Sequence, residues 1–303
     1  MKKISRRSFL SAATALALVR SGSSEAANAD LKFLVVGDWG TGSSDQHKVA
    51  TQMARTAEVI GARYVISTGD NFYPDGVASL DDPQWTASFE DVYGAPTLMV
   101  PWYLVLGNHD HKGNVDAQVN YSALSSRWYQ PANYYKHSET LADGSLADFF
   151  FIDSDPINRH YRSIAQHFFG CPQLDWLERE LAASTAIWKI VIGHHPVFSG
   201  GSHENTDALI DWLEPLLKRY GVQVYLNGHN HNLEHVVVGA THYLTSGAGA
   251  RPRAATVIDG TRFVVGDRLG FMTGSLTTAA MNIEFIDEHG ISLHRASIPV
   301  RAE

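Results

Sequence analysis

Five apolar runs in this chain break at a glycine and hand over to side chains that can ligate metal. "FLVVGDWG" leads to Asp38, "YVISTGDNFY" to Asp70 and Tyr73, and "YLVLGNHD" to Asn108 and His109. "KIVIGHHP" leads to His194 and His195, and "VYLNGHNH" to His229 and His231. Carboxylate, phenol, carboxamide and imidazole are oxygen and nitrogen donors suited to hard and borderline metal ions. A single Gly-Asp after a strand is ordinarily a turn, and a single histidine is ordinarily a hydrogen-bonded core residue. Five endings of one kind predict convergence on a metal site, because ligands of open α/β sheets sit beyond the carboxyl ends of the strands.

Local spacing refines the list. His229 and His231 stand at i and i+2, so in an extended segment they share a face and can serve two adjacent metals. His194 and His195 are adjacent, and Pro196 biases His195 towards an extended conformation, so their side chains diverge and one alone is expected to ligate. Asp70 and Tyr73 stand at i and i+3, within reach of each other across a single turn.

The elements that must hold these residues alternate. Strands are predicted over 31–36, 63–67, 102–106, 148–152, 188–192 and 222–226, with helices near 46–60, 173–183 and 206–219. In "QLDWLERELAAS" Leu174, Leu177 and Leu181 recur at helical spacing. Continuous apolar strands alternating with helices imply α/β layers around largely parallel strands. The tail reads differently, as strands over 241–246, 262–266, 281–286 and 291–297 with short turns, an antiparallel second half with no linker before it. Residues 107–147 read as a long polar loop whose aromatics predict a packed functional segment.

The N-terminus reads as an export signal. "SRRSFLSAATALALV" pairs two arginines with a short apolar run, and "ANA" at 27–29 places small residues where a signal peptidase cuts. Residues 1–29 are thus predicted to be a twin-arginine signal peptide and 30–303 a single catalytic domain, periplasmic or secreted and monomeric. No later apolar run is long enough to span a bilayer, so no stable membrane insertion is expected. Removing the leader takes away five basic residues and one acidic residue, leaving 19 against 31 and a net charge of −12. That balance excludes a basic nucleic-acid footprint. Cys171 is the only cysteine. It cannot form an intrachain disulfide and reads as a small buried apolar residue.

In order and in kind, the five motifs resemble those of the calcineurin-like metallophosphoesterase superfamily, and within it the purple acid phosphatases. The small, animal-type tartrate-resistant acid phosphatase is the nearest match on these motifs. The flanks "GNVDAQVNYS" and "DRLGFMTGSL" extend the likeness over the whole mature chain. The resemblance implies a four-layer α/β sandwich, two mixed β-sheets flanked by helices, and a dinuclear centre that hydrolyses phosphate monoesters with a metal-bound hydroxide as nucleophile. It assigns Asp38, Tyr73 and His231 to the first metal, Asn108, His194 and His229 to the second, and Asp70 to both. It also implies catalytic roles for His109 and for His203 in "GGSHENT", His203 as general acid and His109 as an orienting or phosphate-binding group. The partners it implies are small phosphorylated substrates, with inorganic phosphate as product. Many other branches carry a histidine two residues after the first aspartate. Here Gly40 stands there, and Tyr73 supplies the missing donor. Animal members carry a disulfide that this chain, with one cysteine, cannot make.

Charge supports the metal assignment. The first site would hold Asp38, the shared Asp70 and the Tyr73 phenolate. A free tyrosine has a pKa of about 10, so a phenolate at acid pH needs a strongly polarising trivalent ion such as Fe(III). The second site, with one shared carboxylate and neutral donors, suits Fe(II), Zn(II) or Mn(II). With a bridging hydroxide the cluster keeps a single positive charge, which attracts a phosphate dianion. Two other activities fit the same donors: a phosphodiesterase or nucleotide polyphosphate hydrolase, marked by base-stacking aromatics, for which the Trp and Tyr residues of 121–135 are candidates, and a redox iron protein that generates reactive oxygen species.

Overall fold

The computed structural model describes residues 30–161 and 171–301. The predicted signal peptide lies outside the described residues. Two seven-stranded mixed sheets pack face to face. The first runs β14-β13-β12-β1-β2-β3-β4 and the second β11-β9-β10-β8-β7-β6-β5. In the first sheet the strands are β1 (Leu31–Val36), β2 (Tyr64–Ser67), β3 (Trp102–Leu104), β4 (Trp128–Tyr129), β12 (Gly270–Leu276), β13 (Ala280–Asp287) and β14 (Ser292–Pro299). In the second they are β5 (Tyr135–Thr140), β6 (Leu146–Phe151), β7 (Trp188–Ile192), β8 (Val224–Asn227), β9 (Leu233–Val238), β10 (Thr241–Ser246) and β11 (Thr261–Val265). The helices are α1 (Ser44–Ile60), α2 (Val115–Tyr121), α3 (Ser154–Tyr161), α4 (Pro172–Ala183), α5 (Asp207–Trp212) and α6 (Glu214–Arg219).

Alternation along the strands explains the layers. In β1, Phe33 and Val35 join the core between the sheets, with Ile66, Phe149, Ile190, Leu226 and Phe285. Leu34 and Val36 face the other way, into a second core under α1 with Val49, Met53, Trp39 and Trp102. A third core, including Leu177, Leu181, Leu209 and Leu217, covers the outer face of the second sheet. Because both faces are buried, the strands read as unbroken apolar runs rather than alternating ones. Ser43 caps α1 by accepting from the Gln46 N–H, and Gly61 ends it at a φ of 69°. Cys171 is buried, as its apolar reading expects.

The expected parallel strands are present but divided. β1–β4 run parallel in one sheet, and β6, β7, β8 and β10 in the other. The tail is also divided, β12–β14 extending the first sheet and β9–β11 the second; it is antiparallel within itself, but β10, expected there as an antiparallel strand, also pairs parallel with β8. Residues 107–147 are not one loop: they hold α2, β4, β5 and the start of β6. The predicted helix 206–219 is two helices that meet at Leu213, just before Pro215.

Register sets the site. Val36 pairs with Ser67, Ser67 with Leu104, and Ile192 with Leu226, so the parallel strands end flush. Ser246 Oγ donates to the Val35 carbonyl across 2.8 Å, tying the two sheets together where they end. Among the described residues no helix is long and apolar enough to cross a membrane.

Candidate metal centre

All seven predicted ligand side chains meet at this shared edge. Asp38, Asp70 and His229 take left-handed backbone conformations, with φ of 57°, 51° and 65°. Such angles are uncommon for non-glycine residues and mark local strain. All three follow a glycine at the end of a strand. The preceding glycines allow the close approach: a Cβ on Gly107 would lie 2.1 Å from Asp70 Oδ1, and one on Gly228 would lie 2.4 Å from Asp38 Oδ2. Glycine before the donor is therefore required by space, which is why the strand-Gly-polar pattern repeats.

Two groups of donor atoms form. In the first, Tyr73 Oη lies 3.1 Å from Asp38 Oδ1 and 3.4 Å from His231 Nε2, and the triangle closes at 3.5 Å between His231 and Asp38. In the second, His194 Nε2 lies 3.2 Å from Asn108 Oδ1 and 3.2 Å from His229 Nδ1. Asp70 touches both, Oδ2 accepting from Tyr73 at 2.8 Å and Oδ1 lying 3.4 Å from His194 Nε2. Ligands about 2.0–2.2 Å from one ion stand roughly 3 Å apart when they are neighbours, so both groups have coordination spacing. Asp38, Asp70 and His194 each place one ligand atom within 4.8 Å of the others.

The imidazoles are set for coordination. His194 Nδ1 contacts the Thr68 carbonyl at 2.9 Å, and His231 Nδ1 contacts the Arg251 carbonyl at 2.7 Å. Both carbonyls can only accept, so each Nδ1 carries the proton and each Nε2 turns a lone pair into the cluster. Burial, with neighbouring histidines, drives His229 well below the usual imidazole pKa. Burial and then the Arg253 charge bring His231 down to about 4. Both shifts favour the neutral imidazole, which can ligate a metal. The carboxylates lack a basic counter-charge: burial first and Asp70 second raise Asp38 well above the carboxylate range. Burial, then Asp38 and Asp70, raise Tyr73 well above 10. A buried set of carboxylates, a phenol and neutral imidazoles lacks only positive charge, and a pair of cations fits it.

The remaining predicted residues flank the cluster. His195 is turned away, its ring at 86° to His194 and its Nδ1 2.9 Å from Ser154 Oγ, which agrees with one ligand from that pair. His109 donates its backbone N–H to Asp70 Oδ1 at 2.8 Å, and its ring lies 4.5 Å from that of Tyr73. The His203 ring lies 4.4 Å from that of His229, and its Nε2 meets Arg253 Nη1 at 2.8 Å. A guanidinium only donates, so this nitrogen accepts and carries no proton here. Burial and Arg253 both hold the His203 pKa below its usual value.

Three contributors went unread in the sequence. Asp110, the last residue of "GNHD", is fully buried and accepts from the Gly107, Asn71 and Phe72 N–H groups and from Gln118 Nε2. It thereby fixes the turns that carry Asp70 and Asn108. Arg251 and Arg253 follow β10, whose "YLTSGAG" is a sixth strand-glycine ending of the same kind. The aromatics of 121–135 mostly belong to the core instead. Trp128 is buried, Tyr121 stacks on Trp85 at 3.6 Å, and Tyr135 stacks on Phe151 at 4.6 Å. None lines the two cavities beside the cluster.

Known proteins resemble this chain in sequence and in fold. A model of the family "Calcineurin-like phosphoesterase" matches residues 31–233. Purple acid phosphatase 4 of Arabidopsis thaliana is 36% identical over 293 residues, covering 88% of this chain and 82% of the relative. Tartrate-resistant acid phosphatase type 5 of Homo sapiens is 35% identical over 312 residues, covering 94% and 96%. Among solved structures, GAP50, described as the anchor in the inner membrane complex of Plasmodium, superposes with a TM-score of 0.82 at 25% identity, covering 91% of this chain and 90% of that one. Purple acid phosphatase PPD1 from yellow lupin seeds superposes at 0.69 over 90% of this chain and 54% of its own, and at 16% identity it speaks for the fold alone. With plant and animal relatives matched almost end to end, the chain belongs to the calcineurin-like phosphoesterase family and, within it, to the purple acid phosphatases.

Proposed function

We propose that this protein is an acid phosphatase that hydrolyses phosphate monoesters at a dinuclear centre, with Fe(III) in the first site and Fe(II), Zn(II) or Mn(II) in the second. Asp38, Tyr73 and His231 would hold the first ion, Asn108, His194 and His229 the second, and Asp70 both. The observation that carries the proposal is Asp70, whose two oxygens reach separate donor groups. One fold hosts many roles, and a relative described as an anchor shares this one, so activity is inferred from the donor cluster rather than from the fold.

Once bound, paired metal ions activate water and neutralise charge on the transferring phosphoryl group. The chain's residues do the rest. The His109 N–H fixes the Asp70 carboxylate. The His109 ring lines the cavity over Tyr73 and is placed to orient phosphate. His203, on the far side beside His229, would take up a proton from solvent once Arg253 releases its Nε2, and pass that proton to the leaving oxygen. We further propose that residues 1–29 direct export through the twin-arginine route, leaving a periplasmic or secreted monomer that begins near Asp30.

The test is turnover by the purified mature protein of p-nitrophenyl phosphate against bis(p-nitrophenyl) phosphate at acid pH. The monoester should be strongly preferred. Preference for the diester would replace this proposal with the phosphodiesterase alternative, and turnover of neither would leave the redox alternative.

A further inference from the structure

The cavity of about 260 Å³ beside the cluster is lined by Thr41, Tyr73, Pro74, His109, His231 and two arginines, Arg251 and Arg253. Of the twelve arginines among the described residues, six face a carboxylate: Arg63, Arg127, Arg159, Arg219, Arg268 and Arg295. Arg251 and Arg253, with Arg55, Arg179, Arg262 and Arg301, form no ion pair among the described residues, and of these six only Arg251 and Arg253 line a cavity beside the cluster. Arg253 spends one donor on His203 Nε2, and a guanidinium has five.

The segment carrying them is fixed to the cluster. The Arg253 N–H donates to the His231 carbonyl at 2.7 Å, and the Arg251 carbonyl accepts from the His231 ring at 2.7 Å. Pro252 stiffens the link between them. Two unpaired guanidiniums are thus anchored through one histidine of the centre, over a cavity with no carboxylate in its lining. This is the chemistry of an anion subsite.

Size and lining select the anion. The cavity is smaller than the ~300–1,000 Å³ typical of drug-sized ligands. Its only aromatic carbocycle, Tyr73, is engaged with the cluster. That suits a compact, highly charged group and offers no stacking platform for a nucleobase.

We propose that Arg251 and Arg253 form a second-phosphoryl subsite, so that the favoured substrates are those whose leaving group itself carries a phosphoryl group: phosphoanhydrides and bisphosphates. This rests on the phosphatase function proposed above and narrows its substrate class. The reaction is plain hydrolysis. The oxygen of water bonds to the attacked phosphorus, and the bond from that phosphorus to the bridging oxygen breaks. In a phosphoanhydride the bridging oxygen leaves with its electron pair on the second phosphoryl group; in a bisphosphate it leaves on carbon as an alkoxide and takes a proton of water, and the remaining protons pass to the products or to solvent. A phosphate leaving group departs as a stabilised anion, so it needs little help from a histidine whose Nε2 is already engaged by Arg253.

The test compares wild type, Arg251→Ala, Arg253→Ala and the double variant, all metal-loaded, on inorganic pyrophosphate and p-nitrophenyl phosphate. Each lost charge-assisted contact should lower kcat/KM for pyrophosphate relative to the aryl ester by about 10–100-fold, mostly through KM. Arg251→Lys should recover part of the loss. An unchanged ratio in the double variant overturns the subsite, and so does a wild type that prefers ADP to pyrophosphate through its base. A second readout separates this from the phosphatase proposal. By calorimetry, methylenediphosphonate should bind wild type at least tenfold tighter than methylphosphonate, and the double variant should lose that margin. A wild type inactive on both substrates but keeping the margin refutes the phosphatase function and retains the subsite; an active wild type without the margin does the reverse.

Discussion

The Tyr73 hydroxyl donates to Asp70 Oδ2 across 2.8 Å. A metal ion held by Tyr73 and Asp70 would displace that proton. Burial and the two carboxylates make the phenolate unfavourable without added positive charge. The metal-free protein should be colourless. Loading with Fe(III) should produce a visible phenolate-to-iron charge-transfer band, and Tyr73→Phe should abolish the band while leaving the fold and some activity. A band that survives in Tyr73→Phe removes Tyr73 from the ligand set.

Asp70 should be the least replaceable donor. Asp70→Ala should lose both metals and nearly all turnover, since one side chain reaches both groups. Asn108→Ala contacts only the second group through His194 and should chiefly weaken the second site. Metal content after dialysis checks both variants. Two retained ions per chain in Asp70→Ala would refute the shared-ligand assignment.

The five strand-glycine-donor motifs made the centre legible in the sequence, because the glycines answer a contact that only a missing Cβ permits. Strands 31–36, 188–192 and 241–246 were also readable to the residue. What was hidden depended on tertiary placement. Nothing local in "GFMTGSL" says that β12 pairs with β1 rather than closing the tail upon itself. The role of Asp110 is equally invisible, since its donors come from Asn71, Phe72 and Gln118, far along the chain. The burial of Trp128 likewise comes from packing against Phe72 and Phe89 of other segments.

His203→Ala should reduce turnover without removing metal. A general acid contributes ~10²–10⁴-fold where the leaving group needs a proton. The loss should therefore be large for an alkyl phosphate and small for p-nitrophenyl phosphate. Equal losses on both, at full metal occupancy, would leave His203 with a phosphate-positioning role instead.

Stability should fall on acidification through a histidine outside the donor cluster. His235 on β9 contacts His294 on β14 at 3.1 Å and His242 on β10 at 2.9 Å, linking the two sheets. Burial, then the His242, His294 and Arg262 charges, depresses its pKa to about 3. The unfolded chain therefore binds this proton first. The stabilisation is full above about pH 6.5 and is lost progressively towards pH 3, a change on the order of a few kcal/mol. Urea unfolding between pH 7 and pH 4 should show the decline, and a folded His235→Gln variant should show a shallower one. An identical slope in the variant would assign the acid lability elsewhere.

The centre itself is tested most directly by metal-to-protein stoichiometry measured alongside kcat as the stripped protein is reloaded with iron and a divalent metal. Activity on p-nitrophenyl phosphate should rise in step with occupancy and saturate at two metals per chain, one of them iron. Full activity in protein holding one metal or none would contradict the dinuclear account.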